Sequence, residues 1–197
     1  MDNKISDLFI EELSAIHNEN VRNLVIYILD NKVPKYFTEK TALSSSSKKF
    51  HPLNKDGEPE NLVEHTKSVF RVLYHLVNHP LIAPTIEDVD ELLASAILHD
   101  SAKYGISDKI EQDHTLSGHP LFIKAYCDDM ILNNPIWTVS FDKICRFVSS
   151  HHGPWNRCKE LDLELPPIET MSQFYLHLAD FIASRTDIRV DYDEKLI

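Results

Sequence analysis

His99 and Asp100 stand side by side at the end of the helix-like run 87–100, so an imidazole and a carboxylate reach the same end of one apolar face. Further groups of the same types recur along the chain: His65 before the pair, then His119, the doublet His151-His152, and Asp180. Imidazole nitrogens and carboxylate oxygens together make the mixed N/O environment that suits divalent transition ions. A single histidine on an apolar face is ordinarily structural, and a bare His-Asp dipeptide carries little information. The ordered set His…His-Asp…His…His…Asp carries far more. Lys103 follows Asp100 by one helical turn, completing His-Asp-x-x-Lys. An ammonium there can offset charge developing on a phosphate oxygen; its bland alternative is a surface pair with Asp100 or Asp108.

These groups need helices to bring them together. Residues about 5–31 show helical spacing through Ile5, Leu8, Phe9, Leu13 and Ile16, then Val21, Leu24, Val25, Ile28 and Leu29. Residues about 33–60 break the pattern with Pro34, Pro52, Gly57, Pro59 and four consecutive serines from Ser44. Beyond Leu62 the apolar stripes resume, and each carries a candidate ligand. His65 lies with Leu62, Val69, Leu73 and Leu76, and His99-Asp100 with Val89, Leu92 and Ala96. His119 opens a segment with Phe122, Ile123 and Tyr126; His151 continues Ile144 and Val148; Asp180 lies with Phe174, His177 and Phe181. With little β alternation and no internal repeat, the expected fold class is all-α. The expected division is a small N-terminal helical extension, 1–35, followed by one domain, 36–197.

Composition removes several classes of function. Only four glycines occur, which disfavours Gly-rich phosphate loops and hairpin-rich β folds. A formal net charge of −11 argues against a basic surface tracking long nucleic acid, while leaving room for a small phosphorylated substrate or short RNA or DNA. Cys127, Cys145 and Cys158 are scattered, suggesting neither a disulfide framework nor a thiolate zinc site. The sequence shows no secretory h-region and no run long enough to span a bilayer, so a cytoplasmic setting is expected.

The ordered ligand set resembles that of the HD-domain metal-dependent phosphohydrolase superfamily. By that resemblance, the fold is an HD-domain helical bundle. His65, His99, Asp100 and Asp180 form a first metal site, and Asp100 bridges to a second ion held by His119 and His151. The implied cofactor is two divalent ions drawn from Mn, Fe, Ni, Co or Zn. His119 is ranked over His114, which lies in the loop ahead of it. A regular helix would turn His152 away from the ion of His151, so His152 is placed near substrate as a catalytic group beside Asp100 and Lys103.

The resemblance narrows further. Ser45-Ser-Ser-Lys-Lys-Phe-His51-Pro52 followed by Leu62-Val-Glu-His65-Thr66 resembles the segment ahead of the first ligand in small bacterial and phage HD proteins, and His114-Thr-Leu-Ser-Gly118-His119, Ser150-His-His-Gly153 and Leu176-His177-x-x-Asp180 stand beside it. These last three resemble the HD domain of a Gram-positive 3′→5′ exoribonuclease family, and all the segments together cover about residues 36–185. Two departures stand out: Glu60-Asn61 replaces a common Gly-Gly, and residues 1–35 are not expected to form the nucleic-acid-binding β-barrel of that exoribonuclease family. Lys48, Lys49 and His51 are candidates to bind substrate phosphate, Trp155 to stack on a base and Arg185 to touch substrate. The plain alternatives are a flexible linker, a core-edge aromatic and a helix-end cation.

The expected activity is hydrolysis of a phosphate ester in a nucleotide or short nucleic acid by a metal-activated water, with His152 or His51 protonating the leaving group. Two other classes remain open on the same residues. A mixed-valent di-iron HD oxygenase would use the same ligands to activate oxygen. A nucleotide-binding sensor without turnover would not need the full ligand set.

Overall fold

Helical periodicity is realised over most of the chain in the computed structural model, which describes residues 4–45, 52–192 and 195–196. Among these, the α-helices are α1 (Ile10–Ser14), α2 (Glu19–Asn31), α3 (Leu62–Val77), α4 (Val89–Leu98), α5 (Phe122–Asn133), α6 (Thr138–Ser149) and α7 (Met171–Ala183). Short 3-10 turns precede several of them, at Ile5–Phe9, Lys35–Thr38 and His119–Leu121. The only sheet among the described residues is an antiparallel hairpin of β1 (Arg157–Cys158) and β2 (Leu163–Glu164). The expected all-α class is what the chain adopts.

The central element is α4. Every residue from Leu92 to Leu98 is buried, as expected of a helix that is apolar nearly all round. Helices α2, α3, α6 and α7 pack around it, and α3 also packs along α7. This places the end of α4, where His99 and Asp100 emerge, between α3 and α7 on one side and the end of α6 on the other. The first helices share the same core: Phe9, Leu13, Val21, Leu24, Val25 and Ile28 belong to one buried cluster with α3, α4, α6 and α7. Asp90 fastens them to the start of α4 by accepting from the backbone N–H groups of His17 at 2.7 Å and Asn18 at 3.0 Å.

Two helices that carry site residues are set by reciprocal caps. Asn61 accepts from Glu64 N while Glu64 accepts from Asn61 N, both at 3.0 Å, which fixes where α3 begins and hence where His65 points. Thr170 and Gln173 do the same for α7. Such caps each contribute about 1 kcal/mol. The irregular stretch ahead of α3 is pinned at its end, with Ser44 donating through N and Oγ to Glu60 O and Leu62 N donating to Ala42 O.

Three expected core residues, Leu8, Val89 and Phe174, are instead exposed. Leu8 lies in a 3-10 turn, whose threefold period turns it outward beside buried Phe9, and Val89 is the first residue of α4. Phe174, in the first turn of α7, packs edge-on against Tyr175. No described helix is long and apolar enough to cross a membrane.

Candidate metal centre

Backbone carbonyls settle how three of the imidazoles can be used. The Nδ1 atoms of His99, His119 and His151 lie 2.8, 2.7 and 2.7 Å from the carbonyls of Ala96, Leu116 and Val148, each three residues earlier. A carbonyl only accepts, so each Nδ1 carries the hydrogen, and in the neutral ring Nε2 keeps a free lone pair. All three Nε2 atoms point toward Asp100.

The two oxygens of Asp100 face different partners. Oδ2 lies 3.6 Å from His65 Nε2 and 3.4 Å from His99 Nε2, and it also accepts from the Lys103 ammonium. Oδ1 lies 2.8 Å from His119 Nε2 and 3.8 Å from His151 Nε2. Asp180, from the inner face of α7, brings Oδ1 to 3.1 Å from His65 Nε2. Two candidate groups result, one of His65, His99 and Asp100, the other of His119, His151 and His152, each with its ligand atoms within 4.8 Å of one another.

His99 and Asp100 emerge just past the end of α4, since Leu98 is its last residue and His99 its C-cap. His152 also departs from expectation for this kind of reason. Helix α6 ends at Ser149, so His151 and His152 lie in the turn beyond it, where regular helical geometry no longer separates them. Their rings are 4.6 Å apart, and His152 is 4.8 Å from His119. His114 is mostly exposed and pairs with Asp113 at 3.1 Å, away from the cluster.

His65 is held differently from the other rings. Its Nδ1 faces a carboxylate, Glu60 Oε2 at 3.4 Å, while Glu60 Oε1 accepts from Ser68 at 3.1 Å. Glu60-Asn61 thus has two structural roles: Asn61 caps α3 and buried Glu60 backs its first ligand-type residue. Burial pulls the His65 pKa down, but Asp180 and Glu60 override it and raise it to about 9. Burial would raise Asp100, yet Lys103, His99 and His119 hold it well below the usual carboxylate range. On the other side, burial and then neighbouring imidazoles push His151 well below its ordinary value, and burial with His119 takes His152 to about 3.

The donor set fits divalent cations. His65, His99, Asp100, His119 and His151 are all nearly inaccessible. Yet His99 Nε2, His119 Nε2 and Asp100 Oδ1 have no partner in hydrogen-bonding geometry, despite the short His119–Asp100 approach. Buried polar atoms without partners are costly. Neighbouring ligands on one ion, at bond lengths near 2.1 Å, stand about 3 Å apart, close to the 2.8–3.8 Å that separate Asp100 from the four imidazoles.

Two clefts open onto the centre. One of about 360 Å³ is polar, lined by Ser44, Ser45, Lys103, Thr115, Ser117 and Lys159 among others. The other, about 250 Å³, is lined by Trp155, His177, Phe181 and Arg185. Both reach Ser117, His151, His152, Asp180 and Ser184. Lys103 lines the first of these clefts and Trp155 and Arg185 the second, in space shared with the ligand set. Lys48, Lys49 and His51 lie outside the described residues.

Three supporting residues were not assigned roles from sequence. Glu60 coincides with the Gly-Gly departure, but nothing in the sequence shows that it is buried against His65. Glu160, from the turn between β1 and β2, accepts from Ser117 N at 2.9 Å, Ser117 Oγ at 2.5 Å and Gly118 N at 3.0 Å, bracing the loop that delivers His119. A side chain at Gly118 would meet Cys158 Sγ at 2.8 Å, so glycine permits that close approach. His177 lies 2.8 Å through Nδ1 from His151 O, and its ring fills the space a Cβ at Gly153 would need, at 2.6 Å; Gly153 has φ +57°. The sequence signal for His177 is its place three residues before Asp180 on one helix face. Glu160 has none.

A family model described as HD domain matches residues 62–180, an interval that opens three residues before His65 and closes on Asp180. No curated protein and no solved structure matches the chain.

Proposed function

The chain belongs to the HD-domain family, whose members are generally metal-dependent hydrolases, and on that premise we propose that it hydrolyses a phosphate ester of a nucleotide or short nucleic acid with two divalent ions as cofactor. The observation that carries the reading is the division of Asp100, with Oδ2 toward His65 and His99 and Oδ1 toward His119 and His151. His65, His99, Asp100 and Asp180 would hold one ion; Asp100, His119, His151 and His152 the other. Such ions, when bound, supply Lewis-acid charge and acidify water at neutral pH.

The remaining roles belong to the chain. Lys103 and Lys159 line the polar cleft, where their charge favours a phosphate group. Lys103 also neutralises part of Asp100. His152, with a pKa near 3, is neutral at pH 7. It therefore serves better as a ligand than as the proton donor to a leaving group.

The test is metal analysis of the purified protein joined to a screen of nucleoside phosphates, cyclic dinucleotides and short RNA. Hydrolysis that needs added divalent metal, and disappears with a chelator and in Asp100→Ala, is the expected result. No hydrolysis with any metal, together with oxygen consumption by the iron-loaded protein, would replace the hydrolase reading with an oxygenase.

A further inference from the structure

The smaller cleft differs in chemistry from the polar one with which it shares part of its lining. Trp155 is 63% exposed although it is one of the largest apolar side chains in the chain. Its ring plane lies within 4° of that of Phe181, with centroids 5.9 Å apart, and His177 stands 5.8 Å away. The Arg185 guanidinium lies 4.2 Å over the Phe181 ring. Among the described residues Arg185 pairs with no carboxylate, and its Nε is buried without a hydrogen-bond partner. Flat apolar faces and a guanidinium whose donors are unspent therefore border the same space.

Trp155 is also tied to the ligand cluster. Its backbone N–H donates to His152 O at 3.1 Å, so the ring projects from the same turn as His151 and His152. Phe181 follows Asp180 directly, and Arg185 lies one turn farther along the chain. A flat group resting on this platform would thus be continuous with a phosphate held near Asp100. The polar cleft, with Lys103, Lys159 and serine and threonine hydroxyls, offers no aromatic face among its described lining apart from His119, His151 and His152.

We infer that the cleft of Trp155, Phe181 and Arg185 is the nucleobase subsite of the active centre, with Trp155 as the stacking face and Arg185 as the donor to acceptor atoms on the base edge. This rests on the proposed hydrolase only in placing the phosphate at Asp100. A base has a π-face for the indole and ring acceptors for the guanidinium, and base–aromatic stacking changes affinity by about tenfold to hundredfold. A sugar phosphate offers only the part that the polar side of the centre can hold.

Calorimetry on the metal-loaded full chain tests this with two probes that lack a cleavable ester oxygen, the 5′-phosphonate analogues of AMP and of ribose 5-phosphate. The wild type is expected to prefer the adenosine analogue by about tenfold or more. In Trp155→Ala the preference falls toward one, and Trp155→Phe restores most of it. Arg185→Met should weaken the adenosine analogue about two- to tenfold, the loss of a hydrogen bond. Equal affinity for the two probes in the wild type, or a preference that survives Trp155→Ala, would overturn the assignment. Trp155 is exposed, so its truncation leaves the core intact, and circular dichroism of each variant checks this. If the adenosine analogue binds through Trp155 but no nucleoside phosphate, cyclic dinucleotide or short RNA is turned over with any metal, the hydrolase reading fails and the subsite stands. If AMP and ribose 5-phosphate are hydrolysed equally and bind equally, the subsite fails and the hydrolase stands.

Discussion

On the Oδ2 side of Asp100, His65 and Asp180 project from within α3 and α7, and His99 directly caps α4. On the Oδ1 side, His119 begins a 3-10 turn and His151 and His152 occupy the turn after α6. The first group is fixed by helix packing and its leading histidine is backed by a carboxylate. The second hangs from loops, with His119 and His151 oriented, like His99, by backbone carbonyls and its leading loop braced by the exposed Glu160. A single carboxylate faces both a half built into the core and a half assembled from helix ends and loops. That difference sets an expected order of metal loss, with the loop-borne half giving way first.

The strongest way to break this division is Asp100→Ala. Removing the shared group should take metal content from about two ions per chain to about none and abolish turnover, with helix content largely kept. Elemental analysis and circular dichroism check it; substantial turnover at saturating metal would mean that Asp100 is not shared. Next in size, His119→Ala or His151→Ala should each leave about one ion per chain, whereas His114→Ala leaves about two. Metal loss through His114 instead would reassign the second group.

Smaller effects sharpen the contrast. Glu60→Gln keeps size but removes the charge behind His65, and should weaken metal binding at the helix-borne half by about tenfold to hundredfold, read by competition with a chelating dye. The halves should also differ in proton release. Without metal, His65 holds its proton up to about pH 9, so an ion must displace it. Affinity there should rise about tenfold per pH unit from neutrality and level off above pH 9. Because this pKa is raised, the proton on His65 stabilises the metal-free fold fully below its ordinary 6.5, and that contribution is lost as pH rises through about 9. His151 and His152 are already neutral, so the loop-borne half should bind with little pH dependence across this range. Calorimetry in buffers of differing ionisation heat separates the two. Least of all, Glu160→Gln should cost the loop-borne half only a few-fold in affinity, since its carboxylate is exposed and the Ser117 contacts can be replaced by water.

The core of this arrangement was legible because helices repeat. His65, His99 and Asp180 each sit on an apolar stripe whose period predicts an inward face, and their convergence follows from packing those stripes together. The doublet was less legible, because helical periodicity says nothing about the turn past Ser149 where His152 swings beside His119. Glu60 and Glu160 were hidden for another reason: a carboxylate's role as a brace depends on contacts across the fold. Glu160 reaches a loop more than forty residues earlier in the chain, to Ser117. Leu8, Val89 and Phe174 show the opposite error, where a stripe extrapolated to its ends overstated burial.

His65 and Asp180 meet across a separation of 115 residues. A partly folded chain that lacks either α3 or α7 cannot present both groups to one ion, although the adjacent His151-His152 pair remains available to it. Ions that bind the complete set therefore act as ligands of the finished topology, raising its stability by mass action as their concentration exceeds the dissociation constant. Divalent metal would then serve as an assembly checkpoint, rewarding the chain only once α3 and α7 have closed around α4.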